Sequence, residues 1–293
     1  MLIAEDVMNL HVEASRGHVE SLLVLINYLA DATSLRDYYT LLLGNISRDL
    51  VSDLQLTLPE QDTINKPDST ELITAVLDRW ERLTNLPAVT HSEEIALHSV
   101  DGFISVLEME YFKIRFAGML RPSVVAHPET GEPINDPIRD SATANITPDF
   151  VDWFTMDVER RIAAYTDTES YQGESFNLLN YQPGQQYKPH YDAFLGHSRG
   201  VQSILQDGGQ RVKTAICYLN SVENGGETHF SRLNIKLPAK AGQMIYFSNV
   251  DESHKLLNNS YHAGLPVQEG DKWILTKWIR ENKTRYGSLV YRK

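Results

Sequence analysis

The second half of the chain carries the pattern that most restricts its fold. Short runs rich in β-branched and aromatic residues alternate there with turn signals such as Pro183 and Gly184 or Gly225 and Gly226. The predicted strands are residues 175–181, 212–219, 243–247, 261–267 and 272–279. Many short strands joined by regular turns are typical of a sandwich, a barrel or a jelly roll. This part of the sequence therefore predicts a β-rich domain.

The first third of the chain has a different pattern, which predicts helices. Leu22, Ile26 and Leu29 recur at helical spacing, and similar patterns continue to about residue 90. We therefore expect an α+β protein with an N-terminal all-helical region over residues 1–95. The β-rich domain, with flanking helices, is expected over residues 96–293.

Composition and charge exclude several classes of protein. The formal net charge of -12 opposes binding to a phosphate backbone, so we expect no nucleic-acid partner. The longest apolar run, Leu22 to Ile26, is far shorter than the roughly 20 residues of a membrane span, so no membrane partner is expected either. Glu5 and Asp6 stand where a secretion signal would be basic, and Cys217 is the one cysteine. A cytoplasmic location is the resulting expectation.

A His-x-Asp pair, His190 and Asp192, is the first candidate for chemistry. Residues i and i+2 of a strand point to the same face, so the imidazole and the carboxylate can converge. Two imidazoles and one carboxylate on one face of an octahedron form the site of non-haem iron(II) oxygenases, which leaves three positions open. Such pairs also arise by chance, so a second histidine is required.

Three downstream histidines compete for that position: His229, His254 and His262. We expect the strand of His262 to be followed by a turn and a returning strand that begins at Lys272, so that a hairpin brings Lys272 level with His262. A cation near the metal could anchor the far carboxylate of a dicarboxylate that chelates the ion. Neither other histidine is followed by such an arrangement. We therefore predict His262 as the ligand and His229 as the decoy.

Five collinear segments together resemble the catalytic domain of prolyl 4-hydroxylases. They are Tyr181-x-x-Gly184-x-x-Tyr187-x-x-His190-x-Asp192, Arg211-Val-x-Thr214, Tyr218-Leu219-Asn220, Gly225-Gly226-Glu227-Thr228 and His262-Ala-Gly264-x-Pro266-Val267-x-x-Gly270-x-Lys272-Trp273. The resemblance covers about residues 100–282. It implies a double-stranded β-helix, a jelly-roll fold that agrees with the strand pattern.

The resemblance also implies a cofactor site. It assigns Fe(II) to His190, Asp192 and His262, the distal carboxylate of 2-oxoglutarate to Lys272, and further hydrogen bonds to that co-substrate to Tyr181 and Thr228. Molecular oxygen is the second co-substrate, and ascorbate is a candidate reductant. The implied enzyme is a 2-oxoglutarate-dependent dioxygenase similar to procollagen-proline 4-dioxygenases.

Three further residues match positions near the substrate proline in that family. Trp278 would form an apolar wall, and Tyr187 and Arg211 would orient the substrate. Each has a structural alternative: Trp278 could belong to the core, Arg211 could pair with an acidic neighbour, and Tyr187 could serve packing.

The implied reaction is hydroxylation of proline in a peptide or protein, with release of succinate and CO2. One alternative is the same chemistry on a lysyl residue, a free amino acid or a small molecule. Another is a weakly active oxygen-sensing or binding module whose N-terminal helices recognise a partner. Those helices could also cover the jelly roll or form a homodimer surface, and the Pro- and Gly-rich passage 122–140 is expected to be a mobile lid.

Overall fold

The computed structural model of the protein describes residues 2–60, 64–126, 133–134 and 138–291. The chain divides into two compact units. The first comprises Met1–Leu86, Ser105–Tyr111 and Asp152–Arg161, and the second comprises Pro87–Ile104, Phe112–Val151 and Ile162–Lys293. Parts of the passage predicted to be a lid, residues 127–132 and 135–137, lie outside the described residues.

Helices occupy most of the first unit. The helices along the chain are α1 (Ala4–Ser15), α2 (Val19–Tyr28), α3 (Thr33–Ile46), α4 (Arg48–Asp53), α5 (Ser69–Thr84), α6 (Val106–Phe116), α7 (Trp153–Thr166), α8 (Arg199–Leu205) and α9 (Arg285–Val290). The apolar residues that predicted α2, Leu22, Ile26 and Leu29, are buried. Asp68 caps the N-terminus of α5, because its carboxylate accepts hydrogen bonds from the N–H groups of Thr70 and Glu71 at 2.9 and 3.2 Å. No helix within the described ranges combines the length and the apolarity that crossing a membrane requires.

A buried charge network lies inside the first unit. Arg161, which has no solvent exposure, donates to Asp157 at 2.9 Å and also to Glu108. Asn27 of α2 donates to Glu108 at 3.2 Å, and Tyr28 donates to Asp157. Burial raises the pKa of Glu108, and the Arg161 guanidinium opposes that rise. A single guanidinium thus binds two carboxylates that connect α2 to the first parts of α6 and α7.

Antiparallel strands form the second unit. They are β1 (Ala88–Ser92), β2 (Leu97–Val100), β3 (Arg121–Pro122), β4 (Val125–Ala126), β5 (Pro133–Ile134), β6 (Ala142–Ile146), β7 (Phe176–Tyr181), β8 (Tyr187–His190), β9 (Arg211–Tyr218), β10 (Thr228–Phe230), β11 (Ile235–Leu237), β12 (Met244–Ser248), β13 (His262–Gly264) and β14 (Lys272–Arg280). A large sheet has the order β1-β2-β12-β9-β14-β7-β6-β3, a small sheet has the order β11-β10-β13-β8, and β4 pairs with β5.

The two larger sheets share one apolar core. Leu179, Ile216 and Ile274 of the large sheet belong to the same buried cluster as Phe230 and Leu237 of the small sheet. The sheets therefore pack face to face, which is the arrangement of a jelly roll. The structure is a mixture of helices and antiparallel sheets with a jelly-roll core.

The structure confirms most of the predicted strands and corrects two expectations. Residues 88–92 form β1 of the large sheet, so the all-helical prediction for residues 1–95 is wrong over that segment. The predicted hairpin between His262 and Lys272 is also wrong. Strand β13 pairs with β8 and β10, whereas β14 pairs with β7 and β9. Residues 265–271 therefore carry the chain from the small sheet to the large one.

Candidate metal centre and its pocket

The small sheet brings the three predicted metal ligands together. His190 ends β8 and His262 begins β13, and the two residues are direct cross-strand partners with ring centroids 4.4 Å apart. Asp192 stands two residues after His190. Its Oδ1 lies 3.5 Å from His190 Nε2, and its Oδ2 lies 3.8 Å from His262 Nε2. One ligand atom from each residue lies within 4.8 Å of the others. The three side chains can therefore face one ion.

Backbone carbonyls orient both imidazoles. Nδ1 of His190 lies 2.8 Å from the carbonyl oxygen of Lys188, and Nδ1 of His262 lies 2.9 Å from that of Ser260. Because a carbonyl can only accept, Nδ1 carries the hydrogen in each ring and Nε2 keeps its lone pair for a metal. Burial, followed by the nearby His190, lowers the pKa of His262 to about 4. The ring is therefore neutral, as a ligand must be, at neutral pH.

A chain of hydrogen bonds orients the carboxylate ligand. Thr214 donates from its hydroxyl to Asp192 Oδ2 at 2.7 Å, and Asn249 Nδ2 donates to that hydroxyl at 2.9 Å. Burial alone would raise the pKa of Asp192, but His262 and His190 hold it well below its usual range. The group is ionised, and the bond to Oδ2 leaves Oδ1 for the ion. This donor set fits iron(II).

Removing the hydroxyl of Thr214 tests this orientation. We expect Thr214→Val to weaken Fe(II) binding by about tenfold, because groups that orient a ligand contribute about that much or more to metal affinity. Anaerobic titration of Fe(II) into purified protein measures the effect. Thr166→Val is the matched control, since Thr166 is also buried and donates to Ile162 O in α7 at 2.8 Å. Equal Fe(II) affinities in the two variants would contradict the role of Thr214.

One pocket contains the metal ligands and most of the other predicted site residues. Its walls include His190, Asp192 and His262 with Tyr181, Tyr187, Thr228, Lys272 and Trp278. The empty space is about 410 Å³, part of it open to solvent. Both sheets contribute to these walls. Tyr181, Lys272 and Trp278 belong to β7 and β14 of the large sheet, whereas His190, Thr228 and His262 belong to the small sheet. These walls place a buried ammonium and two hydroxyls around the same space as the metal ligands.

Lys272 is a buried cation of this pocket. Its side chain is largely enclosed, with the residue 3% exposed. The ammonium donates to the Gly226 carbonyl at 2.6 Å and lies 5.6 Å from the ring centroids of Tyr181 and Tyr218. Burial lowers the pKa of Lys272 to about 8. A carboxylate in the pocket would therefore stabilise the charged form of this side chain.

The two hydroxyls predicted to assist the co-substrate are both buried in the pocket wall. Thr228 Oγ1 lies 2.7 Å from the hydroxyl of Tyr218. Burial raises the pKa of Tyr181, while nearby Arg139 opposes that rise. Both groups are thus neutral at neutral pH and can hydrogen-bond to an anion without repelling it.

The residues predicted to contact substrate differ in where they lie. The ring of Tyr187 stacks on His190, with centroids 3.5 Å apart. Trp278 is buried and lines the pocket. Arg211 instead donates twice to Glu174, at 2.7 and 2.8 Å, and its Cζ lies 3.8 Å from the Trp278 ring centroid. Arg211 thus has the acidic partner that was its structural alternative, and it also lies against the Trp278 ring.

The competing histidines lie elsewhere. Thr228 faces the pocket, so its neighbour His229, which pairs with Ala263, points to the opposite face of the small sheet. His254 is exposed, and its Nδ1 lies 3.7 Å from Glu281. Neither residue belongs to the described pocket.

Sequence reasoning missed one cation of the pocket, Arg139. This buried residue lines the pocket, and its Cζ lies 5.1 Å from the ring centroid of Tyr187. It lies within the Pro- and Gly-rich passage, outside every motif that signalled the site. No local sequence pattern marks it, because an isolated bridge between Arg139 and Tyr187 is what brings this passage against β8.

The jelly roll, the two-histidine one-carboxylate set and the buried lysine define the class of protein, a non-haem iron(II) oxygenase. The sequence model of the 2OG-Fe(II) oxygenase superfamily matches residues 176–280. Prolyl 4-hydroxylase 1 of Arabidopsis thaliana is 30% identical over 204 residues, which cover 65% of this chain and 69% of that protein. The chain belongs to the prolyl 4-hydroxylase family of these oxygenases.

Two further comparisons support this assignment. Probable prolyl 4-hydroxylase 7 of Arabidopsis thaliana is 32% identical over 197 residues, which cover 61% of this chain and 60% of that relative. The chain thus spans less than two thirds of the length of this relative. The 2OG complex of a viral collagen prolyl hydroxylase from Paramecium Bursaria Chlorella virus-1 aligns with a TM-score of 0.50 and 26% identity. That alignment covers 63% of this chain and 95% of the viral chain.

Proposed function

We propose that this protein hydroxylates proline in a peptide or protein, using Fe(II), 2-oxoglutarate and O2 and releasing succinate and CO2. The observation that carries the proposal is a single pocket in which His190, Asp192, His262 and the buried Lys272 face the same space. Iron, when bound with its co-substrates, supplies the oxidising chemistry. The protein supplies binding, orientation and exclusion of water.

The buried residues of the pocket divide these tasks. Lys272 neutralises the remote carboxylate of 2-oxoglutarate, and burial makes that ion pair strong because water screens it little. The neutral hydroxyls of Tyr181 and Thr228 add hydrogen bonds and therefore direction. Ile216 and Ile274 complete an apolar wall of the pocket. That wall limits the access of water to the reacting centre.

The choice of proline as substrate rests on the pocket wall and on the family. Trp278 lines the pocket with apolar ring surface, and Arg211, which pairs with Glu174, lies against that ring. A pyrrolidine ring could pack against such a surface. The relatives named above are prolyl hydroxylases, and the viral one acts on collagen according to its name.

A turnover assay on a peptide panel tests the proposed substrate class. The panel contains proline-bearing peptides, matched peptides with alanine at proline, lysine-bearing peptides and free proline. We expect a mass increase of one oxygen atom on proline together with succinate release above the uncoupled rate, and neither with His262→Ala. Oxidation of lysine or of free proline alone would contradict the assignment to peptidyl proline.

The lowered pKa of Lys272 predicts how 2-oxoglutarate binding depends on pH. Below the folded-state pKa of about 8 the ammonium is already charged, so binding needs no proton. Above that pH the side chain is neutral, and binding a dianion beside it requires uptake of one proton. We expect the affinity to fall by about tenfold per pH unit above pH 8. Calorimetry in buffers of different ionisation enthalpy would detect proton uptake at pH 9 and almost none at pH 7. An affinity that is constant from pH 7 to 9 would contradict this prediction.

We also propose roles for the parts that the pocket does not involve. The helices of residues 1–86, which precede β1, would form a region distinct from the dioxygenase domain and would provide a homodimer surface. Exposed Ile3, Val12 and Ile46 in this region support a homodimer surface. Light scattering of the full chain would test it, because a dimer has twice the mass of the single chain.

Ascorbate would serve as reductant, on the basis of the family resemblance. Cys217, the one cysteine, is buried and forms no disulfide, which is compatible with the proposed cytoplasmic location.

A further inference from the structure

Three exposed or half-buried side chains contact one another beside the metal ligands, with the two tyrosine rings tilted at 50°. We call Tyr191, Tyr261 and Arg232 the outer stack. The ring centroids of Tyr191 and Tyr261 are 4.8 Å apart. The Arg232 Cζ lies 5.5 Å from the first centroid and 5.0 Å from the second. The two tyrosines are half-buried and Arg232 is exposed. None of the three lines the described pocket.

The position of the outer stack follows from strand pairing. His190 and His262 are cross-strand partners in β8 and β13. Tyr191 follows His190 and Tyr261 precedes His262, so the tyrosines are the next pair along the two antiparallel segments. Successive pairs point to opposite faces, which places the histidines towards the pocket and the tyrosines on the outside.

Hydrogen bonds connect the outer stack to the turn that orients His262. The carbonyl oxygen of Asn258 accepts from Arg232 Nη1 at 3.1 Å and from the Tyr191 hydroxyl at 3.3 Å. Asn258 begins the short helical turn Asn258–Ser260, whose last carbonyl accepts from Nδ1 of His262. The stack therefore connects the segment of His190 and Asp192 to the turn that fixes the His262 ring.

The ligand-bearing end of β8 needs such support. Strand β8 lies at the edge of the small sheet, and its pairing with β13 is irregular between His262 and Gly264. The first half of β8 has an additional backbone partner besides β13, because Lys188 N–H donates to the Ile138 carbonyl at 2.8 Å. A short edge strand with an irregular ladder has little backbone pairing to hold its end in place. The contact between the tilted tyrosine rings and the shared Asn258 carbonyl hold that end.

We propose that the outer stack is a positioning device for the metal site, which holds His190, Asp192 and His262 at the spacing that the ion requires. Tyr191, Tyr261 and Arg232 are positioning residues, since they act through the backbone of the ligands and touch neither the ion nor the substrate. The inference rests on the proposed metal site. It concerns affinity for the metal alone and is independent of the identity of the substrate.

Titration of Co(II) into the metal-free chain of 293 residues tests the proposal, with the visible absorption of the bound ion as readout. We expect Arg232→Ala and Tyr261→Leu each to weaken Co(II) binding by about tenfold and to change the band shape, since the ligands are less well oriented. Tyr261→Phe keeps the ring and should retain the wild-type affinity and spectrum. Lys283→Ala is the matched control, because Lys283 is an exposed cation 5.7 Å from the Tyr171 ring centroid.

The outcomes separate this inference from the proposed function. Wild-type protein that binds no Co(II) would overturn both. Wild-type binding with unchanged affinity and spectrum in Arg232→Ala and Tyr261→Leu would overturn the outer stack alone. Loss of affinity equal to that of Lys283→Ala would also overturn it, because the effect would then be a general result of removing surface cations.

Discussion

Replacing His262 by alanine is expected to abolish turnover and to weaken Fe(II) binding by more than about 100-fold, beyond the loss seen when only an orienting group is removed. His262 supplies one of three ligand atoms, and its ring is buried with Nδ1 committed to the Ser260 carbonyl. With alanine at position 262, His190 and Asp192 are the remaining protein ligands. A water molecule in place of the imidazole would bind the ion more weakly. Anaerobic Fe(II) titration and succinate release measure the two effects.

His229→Ala is the matched control for that variant. His229 lies on the adjacent strand β10 and pairs with Ala263, one residue from His262, but it points away from the pocket. We expect this variant to bind Fe(II) as the wild type does. If His229→Ala lost iron and His262→Ala kept it, the ligand assignment would be wrong.

Replacing Lys272 by methionine should weaken 2-oxoglutarate binding by about 100-fold while Fe(II) affinity changes little. A buried hydrogen bond to a charged group contributes about 1.5–3 kcal/mol, which corresponds to roughly 10- to 150-fold in affinity. Methionine keeps most of the volume and removes only the ammonium. The metal ligands retain their own contacts, because Lys272 donates to the Gly226 carbonyl and not to them.

Lys277→Met provides the comparison on the same strand. Lys277 is also buried, with its ammonium 4.7 Å from the Phe176 ring centroid and 4.5 Å from that of Tyr286, and it does not line the described pocket. This variant should lose stability, since a buried polar group and its contacts are removed, but it should bind 2-oxoglutarate with wild-type affinity. Equal losses of 2-oxoglutarate affinity in Lys272→Met and Lys277→Met would refute a specific role for Lys272.

The sequence was sufficient to predict the features that depend on local pattern. Strands β7, β9, β12 and β14 follow from runs of β-branched and aromatic residues between turn signals. The spacing of His190 and Asp192 placed both on one face, and the structure brings them to the same point with His262. The hairpin predicted to connect His262 with Lys272 is wrong, and the structure instead brings the two residues to one pocket from different sheets.

The remaining features depend on tertiary pairing, which no local pattern encodes. Residues 265–271 cross between sheets because β13 and β14 find different partners, and their own sequence reads equally well as a hairpin turn. Glu174 pairs with Arg211 from 37 positions away in the chain. Asn249 supports Asp192 only through Thr214. The outer stack also needs three separate segments, so the sequence gives no sign of it.

The most direct test is an anaerobic titration of purified protein with Fe(II) and then with 2-oxoglutarate, monitored by the visible charge-transfer absorption of a chelated keto acid. This measurement requires no knowledge of the substrate. We predict a band that saturates with 2-oxoglutarate, disappears in His262→Ala and persists in His229→Ala. Bound Fe(II) without any such band in the wild-type protein would contradict the account, because the pocket around Lys272 would then not hold 2-oxoglutarate on the metal.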